Sequence, residues 1–161
     1  MTTPTADPAI LDRAFAVHWY QGWITAWNEN RPERCHELLT EDFVLDSPTT
    51  RHTRWLVQGP EAAGQYIAYV RQAYPDLTWE VIAPPMFSDD VARAAFSWRG
   101  TGHFSGRLDP PGVEGTGLPF DFSGLETFDF RGERACYLNA TYDLLGLMKQ
   151  VGVYGGASAR R

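Results

Sequence analysis

Lysine is nearly absent from this chain: of 14 basic residues only Lys149 is lysine. A Schiff-base mechanism therefore has a single candidate amine, close to the C-terminus. Basic runs are missing as well. The only Arg-Arg pair is Arg160-Arg161, and the net charge is −6. Nucleic-acid binding, which needs a positive footprint, is not expected. The longest unbroken apolar run, Tyr66 to Val70, has five residues. A membrane helix needs about 20, so no spanning segment is expected. Met1 to Pro8 is polar and shows no basic-then-apolar secretion pattern, so a cytoplasmic location is expected. Cysteine is limited to Cys35 and Cys136, without CxxC spacing or a nearby His pair. Free buried thiols are expected and a metal site is not. No GxSxG elbow, P-loop or GxGxxG fingerprint is present, which removes serine-hydrolase, kinase and dehydrogenase readings.

What remains is 161 residues rich in rings: 9 Phe, 7 Tyr and 6 Trp. The length suits one domain, 1–161, with 1–7 and 155–161 expected as flexible tails. Aromatic side chains build large cores and also line pockets for flat hydrophobic ligands, and composition does not separate the two.

Residues 8–28 read as a long amphipathic helix. Leu11, Phe15, Trp19, Trp23 and Trp27 recur at i+4, with Asp7 as cap and Pro8 at the first helical position. A second helix is predicted from Pro32 to Leu39, a short strand over Phe43 to Leu45, and a polar loop over 49–58. A third helix runs from Pro60 to the residues before Pro75. From residue 77 the pattern turns strand-like: Leu77 to Ile82, then Val91 to Arg99, with the glycines of 100–106 bending or ending that strand. Asp109 to Gly117 is turn-rich. Phe120 to Phe130 and Arg134 to Tyr142 form a hairpin, and Leu144 to Val151 a short helix. Helices first and antiparallel strands afterwards mean α+β. Three N-terminal helices on a curved, mostly antiparallel sheet make a cone with an internal pocket.

A two-residue turn at Arg131-Gly132 would set Phe130 opposite Glu133 and Glu126 opposite Tyr137. Alternation then puts Phe120, Phe122, Glu126, Phe128 and Phe130 on one face with Tyr137, Asn139, Thr141 and Asp143. Aromatics mixed with a few polar groups suit a ligand pocket. In such a pocket Asp143 would lose hydration, gain proton affinity and serve as a proton shuttle. On position alone it reads first as an N-cap for the helix beginning at Leu144.

The order Trp23-x3-Trp27-Asn28, Phe43, Gly59-Pro60, Tyr74-Pro75-Asp76-Leu77, Gly100-Thr101-Gly102-His103-x2-Gly106, Gly115-Thr116-Gly117 and Asp143-x2-Gly146-Leu147-Met148-x-Gln150-x-Gly152 resembles SnoaL-like polyketide cyclases. These belong to the wider ketosteroid-isomerase and nuclear-transport-factor-like superfamily. The resemblance spans about residues 15–152. It implies an α+β cone with a deep pocket, a homodimer, no cofactor, and a small hydrophobic, polyketide-like ligand of antibiotic-type biosynthesis. The implied reaction is intramolecular aldol ring closure, with Asp143 matching the family's acid/base aspartate. The chain departs from the pattern at Thr141, where the cyclases place a histidine, and in having no histidine over Glu126 to Asp129. Superfamily alternatives are an epoxide hydrolase, an isomerase, a hydroxylase-associated protein or a noncatalytic binder.

Each further candidate has an ordinary structural reading beside the functional one. His103, after a glycine bend, is a second catalytic candidate or a hydrogen-bonded rim residue. His18 points into the cavity or out of the helix, and His36 reads as surface. His52, with Arg51 and Arg54, suits an enolate or carboxylate oxygen, or is simply solvated. Tyr20, Asn28 and Tyr66 offer polar contacts to a flat ligand or pack in the core. Glu126 is a second acid or the partner of Arg99 or Arg107.

Overall fold

Asp12 caps the first helix, its carboxylate accepting from the Phe15 amide at 2.7 Å, and α1 runs Arg13–Asn28. The expected cap at Asp7 does not form, because Asp7 has other partners. Its amide donates to the Phe130 carbonyl and its carbonyl accepts from the Ala92 amide, both at 2.9 Å. Its carboxylate accepts from the Gly132 amide at 2.8 Å. At Asp7 the chain before α1 is therefore tied down as a strap across one end of the sheet. The structure, a computed structural model, describes residues 2–154. The tail expected at 155–161 lies outside the described residues.

After α1 come a 3-10 turn (Pro32–Arg34), α2 (Cys35–Leu38), β1 (Leu39–Asp46), α3 (Pro48–Thr53), β2 (Val57–Gln58) and α4 (Gly59–Ala73). Then follow β3 (Thr78–Val81), β4 (Met86–Phe87), β5 (Arg93–His103), β6 (Arg107–Leu108), β7 (Val113–Glu114), β8 (Pro119–Arg131), β9 (Arg134–Tyr142) and α5 (Leu144–Gln150). The strand order is β2-β1-β9-β8-β5-β3, with β4 also beside β5. Only the β1–β9 pair is parallel. β6 and β7 form a separate small ribbon. The result is the expected α+β cone: a curved, open, mostly antiparallel sheet with helices on its inner face. No helix among the described residues is long and apolar enough to cross a membrane.

Two local expectations fail for identifiable reasons. The segment read as a loop over 49–58 holds α3 and β2. Ser47 and Thr50 form a capping box there, so Ser47-Pro48 starts a helix as well as ending β1. β5 does not stop at Gly100 but continues to His103. A Cβ at Gly100 would lie 2.6 Å from Cζ3 of Trp79 and 2.9 Å from Cε1 of Phe122. That glycine makes room for crossing rings and does not end the strand.

The hairpin register also differs. Arg131 pairs with Arg134, so the turn residues are Gly132 and Glu133, with Gly132 at φ 56°. Between Phe130↔Ala135 and Asp129↔Tyr137 the ladder carries a bulge at Cys136. Glu126 therefore faces Ala140, not Tyr137, and Phe128 faces Leu138. The offset is odd, which exchanges the two faces of β9. Leu138 and Ala140 turn inward and are buried, whereas Thr141 is exposed on the outer face.

The interior has a filled half and a hollow half. Trp19 meets Phe128 and Phe130 edge-on, each at 4.9 Å between centroids, and Tyr20 stacks on Phe96 at 3.9 Å. These rings close the end nearest the strap. The other end is open space.

Candidate functional site

The hollow half is a cavity of about 540 Å³. Its apolar walls include Trp27, Tyr66, Trp79, Trp98, Phe122 and Tyr142. Trp98 meets Trp79 edge-on at 4.4 Å, Phe122 at 5.1 Å and Tyr142 at 5.8 Å. Gly124 permits this packing. A Cβ there would lie 2.5 Å from both Cζ2 of Trp98 and the Thr141 carbonyl oxygen.

Among the described residues Glu126 is the one carboxylate in the lining. It stands in mid-β8, where the filled and hollow halves meet. The Tyr20 hydroxyl of α1 donates to its Oε2 at 2.8 Å. The Trp23 indole N–H has no partner at hydrogen-bond geometry, yet it lies near enough to favour the charged carboxylate. Loss of hydration outweighs both and pushes Glu126 up to about 7. Burial, and the charge of Glu126, push the Tyr20 phenol far above its ordinary range. At neutral pH the cavity thus holds a carboxyl divided between its two protonation states, the condition for giving and taking protons.

A second polar group faces the cavity from α3 and its N-cap, α4 and β9. The Thr49 and Tyr142 hydroxyls are 2.6 Å apart. Ser47, Thr49 and Tyr66 line the same wall, and burial raises the Tyr66 phenol. Tyr142 pairs with Gly124, one step along the inner face from the Glu126–Ala140 pair. Diagonal neighbours of this kind are roughly 7–8 Å apart. His52 and Thr53, both exposed, stand at the mouth with Val113 of the β6–β7 ribbon. Among the described residues no three His, Cys, Asp or Glu side chains converge as metal ligands would.

Glu126, Tyr66, Phe122 and His52 all lie on the cavity, and Tyr20 acts from behind Glu126. The other expected site residues lie elsewhere. Asp143 is exposed and caps α5, accepting from the Gly146 amide at 2.8 Å. It takes no part in the lining. His103 is exposed at the end of β5, its Nδ1 2.7 Å from the Asp76 carboxylate, and serves to anchor that strand end. Asn28 spends its amide on the backbone of Trp79, donating at 3.0 Å and accepting at 2.7 Å. Phe128 is fully buried in the filled half. Tyr137 and Asn139 point to the outer face and bond Asp46 at 3.0 and 3.3 Å. Asp46 also takes Arg51 through two bonds of 2.6 and 2.7 Å, and that guanidinium holds it below the usual carboxylate range. Thr141 shares the outer face and is exposed.

Trp79, Trp98, Ser47 and Thr49 also line the cavity and were not among the expected site residues. The sequence carries their signals in Gly100 and Gly124, small residues that let large rings cross, and in the Ser-Pro-x-Thr capping box.

Several solved structures share this architecture. TsrD from Streptomyces laurentii is 20% identical, with a TM-score of 0.73 over 89% of this chain and 99% of that one. AclR from Streptomyces galilaeus, provisionally assigned as a hydroxylase, is 19% identical, with a TM-score of 0.71 over 91% and 86%. IdmH from Streptomyces antibioticus, provisionally assigned as a polyketide cyclase, is 22% identical, with a TM-score of 0.67 over 84% and 97%. At such identities the likeness establishes the fold alone. No curated protein matches the chain. The family model described as SnoaL-like domain matches residues 20–138. The chain belongs to the SnoaL-like domain family, as its residue order suggested.

Proposed function

We propose that this protein is an acid/base enzyme acting on a flat, hydrophobic, polyketide-type molecule, with intramolecular aldol ring closure as its reaction. Glu126 takes the role that the family resemblance had pointed to at Asp143. The supporting observation is its position: a single carboxyl facing an aromatic cavity and held from behind by the Tyr20 hydroxyl.

The ionised Glu126 removes a proton from a carbon between two carbonyls, leaving an enolate. The enolate carbon bonds to the acceptor carbonyl carbon, whose π electrons move onto oxygen as an alkoxide. Glu126 returns its proton to that alkoxide and is restored. General acid/base help of this kind contributes typically about 10²–10⁴-fold. The aromatic walls hold the chain folded so that the two carbons meet. The hydroxyls of Tyr66, Tyr142, Ser47 and Thr49, all in the cavity lining, supply donors for oxygen that becomes negative.

The test is ring closure of an aromatic polyketide bearing a β-ketoester side chain and a carbonyl acceptor, followed by absorbance. Glu126→Gln is expected to slow turnover by about 100-fold or more, while Asp143→Asn leaves it unchanged. Loss of turnover in Asp143→Asn with full activity in Glu126→Gln would reverse the assignment. A wild-type protein that binds the substrate and returns it unaltered would make it a carrier.

A further inference from the structure

The cavity's charge is one-sided. Among the described residues no lysine or arginine lines it, and the one basic side chain there, His52, sits exposed at the mouth. The inner charge is that of Glu126. One oxygen of that carboxylate accepts from Tyr20; Oε1 accepts no hydrogen bond of good geometry among the described residues, the Trp23 indole N–H being the one other donor near the carboxylate. The cavity that Glu126 faces is walled by rings: Trp98, Phe122, Tyr142 and Trp79 meet one another at tilted or perpendicular angles, between 59° and 87°. Rings set at such angles turn faces as well as edges toward the enclosed space. A cation over an aromatic face is attracted by the ring quadrupole, and more strongly when water is excluded. A carboxylate or phosphate brought into the same space meets Glu126 with no counter-charge.

We propose that the cavity selects flat ligands that carry a basic amine, pairing the ammonium with Glu126 among the aromatic walls, and rejects ligands that carry a carboxylate or phosphate. This rests on the same placement of Glu126 as the proposed reaction, but it needs no turnover. An alkylammonium has the geometry for the role. Its N–H donates to the unused oxygen, and its alkyl groups lie against the rings. A protein that turns over neutral polyketides would then be inhibited competitively by amines of similar shape.

Three probes of one shape test it: naphthylmethyl-dimethylamine, the neutral isobutylnaphthalene and the anionic naphthylacetate. Binding to the full chain is read by tryptophan fluorescence at about pH 8, where Glu126 is ionised. The amine is expected to bind about tenfold or more tighter than the neutral probe, and the anion about tenfold or more weaker. Glu126→Gln is expected to bring amine and neutral probe within about twofold, and Glu126→Asp, which keeps the charge, to retain the preference. Equal or tighter binding of the neutral probe to the wild type overturns the proposal. So does an amine preference that survives in Glu126→Gln, or no saturable binding of any probe. The wild-type ranking stands without either variant, should one fail to fold. Ring closure is read on the same proteins. Amine selectivity without Glu126-dependent turnover keeps the ligand class and removes the reaction, and the converse keeps the reaction alone.

Discussion

Replacing Glu126 by glutamine removes a charge that the fold holds at a cost, and the cost has a calculable pH dependence. In the unfolded chain this carboxyl ionises near its ordinary 4.5, whereas burial in the native state holds its proton up to about 7. That difference is worth about 3 kcal/mol. Between these two pH values the native state binds more protons than the unfolded state, so the wild type loses stability as pH rises. The contribution is fully present below the lower value and gone above the upper one. Glutamine does not titrate, and its carbonyl still accepts from Tyr20. All other carboxylates are common to both proteins and cancel in the comparison. The melting temperature of Glu126→Gln should therefore rise relative to wild type between about pH 4 and about pH 8. In a chain of this size, 1 kcal/mol moves the midpoint by roughly 2–4 °C, so the relative gain should be about 6–12 °C. Thermal unfolding followed by circular dichroism at several pH values gives the difference directly. Parallel curves, with a constant gap, would mean that Glu126 titrates normally in the folded protein, and the argument from burial would be wrong.

Two further outcomes follow from the geometry. Asp143→Ala should cost about 1 kcal/mol by removing the cap of α5, and Asp143→Asn, which can still accept from the Gly146 amide, should cost little. Urea unfolding checks both. Gly124→Ala should destabilise by about 1–3 kcal/mol, because its methyl meets backbone at Thr141 as well as the Trp98 ring. The same denaturation curve reads it, and an unchanged midpoint would show that β8 shifts there without strain.

Periodicity made the large elements legible. The i+4 tryptophans announced α1, and the alternation of Phe120 to Phe130 announced β8, with its inward set correct on that strand. The partner strand was misread because the bulge at Cys136 has no sequence signature of its own, and an odd slip turns every side chain over. Tyr137, Asn139 and Thr141 thus went to the wrong face, and Tyr142 was missed. Asp143 was ambiguous from the start, since an acid before a helix is a cap wherever it falls. Glu126 was legible as a candidate, but its isolation was not. That depends on which side chains surround it in three dimensions, and on Tyr20 reaching it across a sequence separation of 106 residues.

The packed rings beneath the strap have a consequence for any guest molecule. With that end plugged by Trp19, Phe128 and Phe130, traffic has to pass the mouth where α3 and the β6–β7 ribbon bring His52, Thr53 and Val113 together. A long molecule must slide in headfirst, and only its leading ring can arrive beside Glu126. Whatever trails behind stays near the threshold, where a bulky substituent is tolerated and a change at the tip is not.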